Sequence, residues 1–296
     1  MIELVLSMSL WGTLGAFAIW SGLSALEISF YRCFIGAIFA GILLLKAKQK
    51  LLFNREELIV GLAGVLLTLN WLFLFKSFQL ASITIGNMSY YLQPIILMIL
   101  GVIFFKEKVS TRQWAFISLA LAGVLLTIEI QSFQRQNNVA LGCGYAILAA
   151  LLYSFVTVLM KRIKMPFQKV LFIQFSVGAL MLLPFIWNQL APNNTLKLIG
   201  PRALSNILAI GILHTFVAYI LYYRAIQKTS FATIAIISYL DPLIAIASDV
   251  IFFEKPLSSL QIFGVGLSFI AIFNLSSKKS QFDSLEFNAG EQSPST

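Results

Sequence analysis

The stretch "YYLQPIILMILGVIFFKEK" (90–108) returns in altered form as "SYLDPLIAIASDVIFFEK" (238–255). Both copies place Tyr-Leu, one polar residue and Pro before an apolar run that ends in Phe-Phe and a Glu-Lys pair. The polar residue is Gln93 in the first copy and Asp241 in the second. This repetition predicts two related halves, each with a polar side chain inside a hydrophobic segment.

The composition is typical of a helical membrane protein with several spans. Of the 296 residues, 59% are hydrophobic and only 11% are charged, whereas soluble domains carry about 25% charged residues. The apolar residues form runs of about 20, the length that a helix needs to cross a hydrocarbon layer of ~30 Å. We expect an all-α integral membrane fold with ten transmembrane helices. The predicted spans are 2–20, 25–45, 57–76, 80–104, 112–130, 139–160, 167–188, 203–223, 229–253 and 258–276.

The positions of Lys and Arg predict the orientation. With the N-terminus in the cytoplasm, fifteen of the 21 Lys and Arg residues fall on the cytoplasmic side and five on the other side. Cytoplasmic loops are enriched in these residues, so we expect an inner (plasma) membrane protein with both termini in the cytoplasm. The same distribution explains the net charge of +9, and no nucleic-acid partner is expected. The polar tail 277–296 is predicted to be disordered.

Sites for metals, disulfides and enzymatic chemistry are not expected. Cys33 and Cys143 lie in apolar spans without CxxC spacing, and the chain has a single histidine. These residues form neither a zinc pattern nor a disulfide framework. They also do not supply a nucleophile with its base, so we predict no cofactor and no enzyme activity.

The repeat has a consequence for topology. Aligned on the prolines, the copies are offset by 148 residues, so that Tyr91 corresponds to Tyr239. We predict two five-helix units, 1–133 and 139–276, with a join around 131–138. Because five is odd, the second unit enters the membrane from the opposite side. Inverted repeats of this kind place a binding site near the bilayer midplane and support alternating access.

Other motifs extend the pattern over nearly all of the first 276 residues. They are "LWGTLGAF" (10–17), "SFYRCFIGA" (29–37), "YLQP…FFKEKVSTRQWAFISLALAGVLL" (91–126) and "HTFVAYILYYRAIQKTSFATIAIISYLDP…FFEKPLSSLQIFGVGLSFIAIF" (214–273). In this order and spacing, the chain resembles the drug/metabolite transporter superfamily, in its EamA-like branch of ten-helix proteins. The resemblance implies a central cavity and the transport, mostly export, of amino acids, other polar metabolites or drugs.

Gln93 and Asp241 are the first candidates for a site, because polar groups inside a membrane are costly and usually functional. Each precedes a proline, which bends a helix and frees a backbone carbonyl. Either the two side chains bind a polar substrate, or they are structural locks on the loosened backbone. Asp241 is the better candidate for coupling, since it can carry a proton or hold a substrate ammonium group. A permanent salt bridge to Arg32 is the alternative.

Three further polar residues lie inside spans, and each has two interpretations. Arg32 binds a substrate carboxylate, or it is structural, extending to the membrane surface or pairing with Glu27. His214 can exchange a proton near neutral pH and relay it to Asp241, or it is a packing residue. Asn70 lines the cavity or bonds a neighbouring helix.

Aromatic residues form the remaining candidate set. Tyr and Trp combine an apolar body with a hydrogen-bonding tip, which suits the wall of a cavity for amphipathic solutes. The alternative is an anchoring role at the membrane interface. The predicted lining residues are Trp11, Tyr91, Tyr219 and Tyr239.

The sequence favours a secondary active transporter of small polar or amphipathic metabolites, with amino-acid or metabolite export by alternating access as the first hypothesis. An importer or exchanger of a cationic metabolite such as S-adenosylmethionine is the alternative. A channel or membrane scaffold is an alternative of another class. The expected partners are a small-molecule substrate, protons as a candidate coupling ion and the lipid bilayer, with the chain a monomer or loose homodimer.

Overall fold

The computed structural model describes residues 1–52, 54–81, 83–127, 138–190, 200–254 and 256–290. Within these ranges all regular structure is helical and no strand occurs. Eight helical segments found there, three of them interrupted, are long and apolar enough to cross a membrane. Two shorter apolar helices, Thr111–Leu126 and Ser259–Asn274, accompany them.

The helices fall into an N-terminal half (residues 1–127) and a C-terminal half (residues 138–290). The N-terminal half contains α1 (Ile2–Ser21), α2 (Ala25–Lys46), α3 (Arg55–Ala81), α4 (Ile83–Tyr90), α5 (Gln93–Phe105) and α6 (Thr111–Leu126). The C-terminal half contains α7 (Val139–Arg162), α8 (Phe167–Leu190), α9 (Pro201–Gly211), a π-helical turn (Ile212–Val217), α10 (Ala218–Ile226), α11 (Phe231–Ser238), α12 (Leu240–Phe253) and α13 (Ser259–Gly290).

Local sequence signals explain several helix ends. Gly22 ends α1 in the left-handed conformation, with φ of 67°, which glycine adopts without steric cost. Helix α2 begins with a capping box in which Glu27 accepts a hydrogen bond from the Ser24 N–H at 2.7 Å. Helix α6 begins in the same way at Ser110, whose N–H donates to Gln113 at 2.8 Å. Each box satisfies two backbone donors that a helix start would otherwise leave unpaired.

The two spans predicted at 80–104 and 229–253 are each interrupted in the structure. The first divides into α4 and α5, and the second into α11 and α12, which meet at Tyr239. Pro94 and Pro242 lie in the first turn of α5 and α12, where a missing backbone N–H breaks no helical hydrogen bond. The Tyr-Leu-polar-Pro element therefore begins a new helix in both halves.

Other differences from the predicted spans are smaller. The span predicted at 203–223 contains the π-helical turn between α9 and α10. Helix α13 runs to Gly290, beyond the span predicted at 258–276 and into the tail expected at 277–296. The predicted join at 131–138 lies, apart from Asn138, outside the described residues.

The two halves pack against each other over most of their helices. Helix α2 contacts α8, α6 contacts α13 and α5 contacts α11. Helix α1 lies against α9, α10 and α12, while α7 lies against α3, α4 and α5. Two clusters of buried apolar side chains occur, and both contain residues from both halves. The core is therefore shared by the halves.

The outer surface of the helices is strongly apolar. Leu45, Ile251 and Phe273 expose 79%, 71% and 72% of their surface, and many other large aliphatic and aromatic side chains are also exposed. Apolar exposure on this scale is unfavourable in water and marks contact with a membrane or a partner. Together with the helix lengths, it fits a chain that spans the bilayer several times.

Candidate functional site

Asp241 lies at the start of α12, deep among the helices. Its backbone is held closely by α1, because a Cβ atom on Gly12 would lie 2.6 Å from the Asp241 carbonyl oxygen. Asp241 is partly buried as a residue. Within the described part of the chain, its carboxylate has no hydrogen bond and no ion pair. A charged group that lacks protein partners in such a position is costly and suits a site that a solute or water can reach.

Gln93, its counterpart at the start of α5, is bound to the protein. Its Nε2 atom donates a long hydrogen bond of 3.4 Å to the Ser154 hydroxyl. That hydroxyl also donates to the carbonyl of Ala150 at 2.8 Å and lies 3.3 Å from the carbonyl of Gln93. Gln93 thus joins α5 to α7. Ser154 of α7 contacts Gln93, and Gly12 of α1 lies close to Asp241. Because glycine has no side chain, only Gln93 has a side-chain hydrogen bond at this contact.

Arg32 lies in α2 and is buried among the helices. Its Nε atom donates to the Thr215 hydroxyl at 2.9 Å, and its guanidinium carbon lies 4.4 Å from the centre of the Trp71 ring. Arg32 and Asp241 are near enough to interact electrostatically. No ion pair joins them, so the alternative interpretation of a permanent Arg32–Asp241 salt bridge is not seen in this structure. Glu27, the other predicted partner, caps α2.

Trp11 is the centre of an aromatic cluster. The centre of its ring lies 5.0 Å from those of Tyr219 and Tyr222 and 6.3 Å from that of Tyr153. Its indole N–H donates to the carbonyl of His214 at 2.9 Å. That carbonyl belongs to the π-helical turn, a distortion that leaves backbone groups available and often occurs at functional sites.

His214 is almost fully enclosed and held at both ring nitrogens. Nδ1 lies 3.2 Å from the carbonyl of Ala209, and Nε2 lies 3.0 Å from the Thr13 hydroxyl. The Phe17 ring packs against the imidazole at 4.6 Å between ring centres. Neither nitrogen contacts Asp241, so the geometry matches the packing interpretation better than a direct relay to Asp241.

Asn70 is a buried link between helices, one of its two predicted roles. Its Nδ2 atom donates to the carbonyl of Ala149 at 2.7 Å and to the Tyr90 hydroxyl at 3.2 Å. Tyr90 is in turn within electrostatic range of both Arg32 and Asp241. Asn70 therefore ties α3 to α7 and fixes a tyrosine beside the two charged groups.

The remaining predicted tyrosines are separated in the structure. Tyr239 is fully buried, and its hydroxyl donates to the carbonyl of Tyr91 at 3.1 Å. Tyr91 is partly buried and within electrostatic range of Asp241. Tyr219 lies in the Trp11 cluster, 5.5 Å from Phe175 between ring centres. Tyr91 and Tyr219 therefore adjoin the polar residues, while Tyr239 acts as a contact between the halves.

Several residues of the site were not among the predicted set. Tyr153 and Tyr222 complete the aromatic cluster, and their rings stack at 6.2 Å. Thr215 holds Arg32, while Thr157 shares a hydrogen bond of 2.9 Å with the Tyr222 hydroxyl. The sequence contained one signal for them: tyrosine and hydroxyl residues recur at helical spacing inside the spans 139–160 and 203–223. The sequence does not show which residues they contact, because these contacts form between helices that are distant in the chain.

Two cavities lie away from the charged pair. One of about 220 Å³ opens where α7, α8 and α10 meet, beside Tyr223 and Arg224. The other, of about 400 Å³, lies between α2, α3 and α8, near Lys76 and Phe185. In the predicted orientation they open toward the cytoplasmic and the external side respectively. The described residues hold no group of three or more His, Cys, Asp or Glu side chains that could bind a metal.

Comparison with known proteins identifies the family. The model of the EamA-like transporter family matches residues 1–129 and 140–277. The chain is 32% identical to the uncharacterized transporter YxxF of Bacillus subtilis over 85% of this chain and 81% of the relative. It is 23% identical to the uncharacterized transporter YojE of the same organism, over 81% and 80%. It is also 24% identical to protein RarD of Escherichia coli, over 68% and 66%.

The fold also matches a solved crystal structure of another protein. The TM-score is 0.79 at 18% identity, over 94% of this chain and 97% of the other. At this identity the likeness concerns the fold alone. The family match covers both halves, and the relatives YxxF and YojE are named as transporters. The chain is a multi-pass membrane protein that belongs to the EamA-like transporter family.

Proposed function

We propose that the protein is a secondary active transporter of small polar or amphipathic metabolites and that amino-acid or metabolite export is its activity. The observation that carries this proposal is Asp241, a partly buried residue whose carboxylate has no hydrogen-bond partner among the described residues and lies within electrostatic range of the Arg32 guanidinium. Two opposite charges that do not satisfy each other can each bind one end of a zwitterionic solute.

The surroundings suit such a solute. Arg32 uses Nε to bond Thr215 and stacks on Trp71, which orients its guanidinium group for a carboxylate. Asp241 can accept an ammonium group from the same solute. The Trp11 cluster adds aromatic faces, which attract apolar groups and cations.

We further propose that ten spans form two inverted five-helix units, 1–133 and 139–276, in an inner membrane with both termini cytoplasmic. Pairs of residues 148 positions apart support this arrangement. Tyr239 donates to the carbonyl of Tyr91, and Ser268 donates to that of Ala120 at 3.1 Å. Residues that contact their own counterparts lie near the axis that relates two repeats. Rocking of the units about this axis would expose Asp241 and Arg32 to each side in turn.

Two alternative functions fit the charged residues less well than an exporter of zwitterionic solutes does. An importer or exchanger of a cationic metabolite such as S-adenosylmethionine would use Asp241 and the aromatic cluster, but the buried Arg32 would repel its charge. A channel or membrane scaffold would need no charged pair at the centre. Saturable counterflow distinguishes a carrier from a channel, since only a carrier moves labelled solute inward in exchange for unlabelled solute.

The test is counterflow in proteoliposomes with a panel of labelled amino acids and cationic metabolites. Replacing Asp241 with asparagine keeps the side-chain shape and should lower the rate at least tenfold, because the ammonium partner is lost. Asp249→Asn removes a carboxylate further along the same helix and should retain most of the rate. Equal rates for both variants would remove Asp241 from the transport mechanism.

A further inference from the structure

The cavity of about 220 Å³ at the junction of α7, α8 and α10 carries a second inference, which rests on the proposed transport function. We propose that this cavity, here called the access vestibule, binds water-soluble amphipathic anions that have a ring-sized apolar body and one carboxylate. It would be the first site that such solutes meet before they reach the Trp11 cluster.

The walls of the access vestibule are suited to an apolar body. They are formed mainly by aliphatic, thioether and aromatic side chains: Met160, Ile163, Met165, Phe167 and Val170. An apolar protein cavity of about 150 Å³ holds a benzene molecule. The access vestibule therefore has room for one ring and a short polar arm.

The charge at the rim is positive. Arg224 lines the cavity, and its guanidinium carbon lies 4.8 Å from the centre of the Phe167 ring. The structure as described shows no ion pair for it. Residues 130–240 contain no Asp or Glu at all, so this end of the C-terminal half has cations only. A carboxylate is the charged group that Arg224 can bind with paired hydrogen bonds.

Acidic groups from the other half do not neutralise this rim. Glu57 forms an ion pair with Lys169 and accepts hydrogen bonds from the Leu52 N–H. Glu107 accepts hydrogen bonds of 2.9 and 3.2 Å from the N–H of Phe231, at the start of α11. Both carboxylates are bound elsewhere, and Glu56, exposed at the start of α3, forms no ion pair with Arg224. Arg224 is the charged residue that lines the cavity.

The floor of the access vestibule borders the aromatic cluster. Tyr223 lines the cavity, and its hydroxyl donates to Gln174 at 2.6 Å. Gln174 in turn donates to the sulfur of Met160 at 3.1 Å. The Tyr223 ring lies 5.5 Å from that of Tyr219 between centres. One layer of side chains therefore separates the access vestibule from the cluster around Trp11.

The test uses two probes with the same ring and opposite charge, phenylacetate and phenethylammonium. Met165 lines the cavity and is partly exposed, so a Met165→Cys reporter in a Cys143→Ser background should react with a maleimide. Phenylacetate should slow this labelling, whereas phenethylammonium should not. A Lys108→Cys reporter lies in the exposed loop after α5 and serves as the control. It should react with the maleimide at the same rate in the presence of either probe.

Arg224→Gln in the reporter protein should raise the phenylacetate concentration for half-protection at least tenfold, and Arg224→Lys should recover part of the loss. Arg112→Gln is the matched control, because Arg112 packs on Phe116 at 5.2 Å in the same manner but elsewhere. Equal protection by both probes, or unchanged protection in Arg224→Gln, would overturn the proposal. Protection by anionic phospholipid vesicles alone would assign the cavity to lipid and also overturn it. Labelling is measured in detergent without a solute gradient, so its result does not depend on transport. A failure of the transport assay would therefore bear on the proposed function and not on binding in the access vestibule.

Discussion

Replacing Gly123 with alanine should destabilise the contact between α6 and α13. A Cβ atom at this position would lie 2.6 Å from the carbonyl oxygen of Gly264 and 2.8 Å from the backbone nitrogen of Ser268. Both are backbone atoms, so no side-chain rotation relieves the overlap and the helices must move apart. The contact joins the N-terminal to the C-terminal half, and the substitution therefore tests how closely the halves approach.

The expected size of the effect combines two opposing terms. Forcing an extra carbon into a packed interface costs about 1–3 kcal/mol, while alanine favours a helix over glycine by about 1 kcal/mol. Gly266, on the same α13, has no atom within 4 Å of an added Cβ, so Gly266→Ala should show only the favourable term. The two variants should differ in stability by about 1–3 kcal/mol, with Gly123→Ala the less stable.

Thermal unfolding of the purified full chain in detergent, followed by tryptophan fluorescence and by loss of monodisperse protein, measures this difference. Gly123→Ala should unfold several degrees below Gly266→Ala. Equal midpoints, or a lower midpoint for Gly266→Ala, would refute the close approach of α6 and α13 and with it the shared packing of the halves.

Three other substitutions test particular contacts. Gln93→Ala removes the bonds to α7 and should lower stability by about 1 kcal/mol in the same unfolding assay, and an unchanged midpoint would contradict its role as a lock. Trp11→Phe keeps an aromatic ring but loses the donor to the His214 carbonyl, so it should reduce counterflow severalfold with little effect on unfolding. Normal counterflow would contradict a role of this hydrogen bond in transport. Glu57→Gln leaves the buried Lys169 without its partner and should cost about 3–5 kcal/mol, whereas an effect below 1 kcal/mol would show that the pair is solvated.

The sequence predicted those parts of the fold that local hydropathy determines. Most of the predicted apolar spans became long helices. The prolines of the Tyr-Leu-polar-Pro element were expected to bend the spans 80–104 and 229–253, whereas the structure begins a new helix at each element; Pro184, by contrast, lies inside α8. The capping boxes at Ser24 and Ser110 are also local signals. Each of these features depends on neighbours within a few residues, so a single sequence contains the necessary information.

The partners of the site residues could not be predicted in this way. Arg32 bonds Thr215, which lies 183 residues away, and Trp11 bonds the carbonyl of His214, 203 residues away. Such pairs arise from the packing of helices that are distant in the chain. The π-helical turn is a further example. It frees a carbonyl for Trp11, yet Ile212–Val217 contains no Pro or Gly from which the turn could be predicted.

The central claim is that Asp241 holds the ammonium group of a solute whose carboxylate faces Arg32. Its most direct test is a thermodynamic cycle that combines a protein change with a ligand change. Binding of the transported amino acid and of its N-acetyl derivative is measured for the wild-type chain and for Asp241→Asn. If the two groups pair, the losses should overlap and give a coupling of about 1.5–3 kcal/mol, the range of hydrogen bonds to charged groups. Additive losses, with a coupling near zero, would contradict the claim.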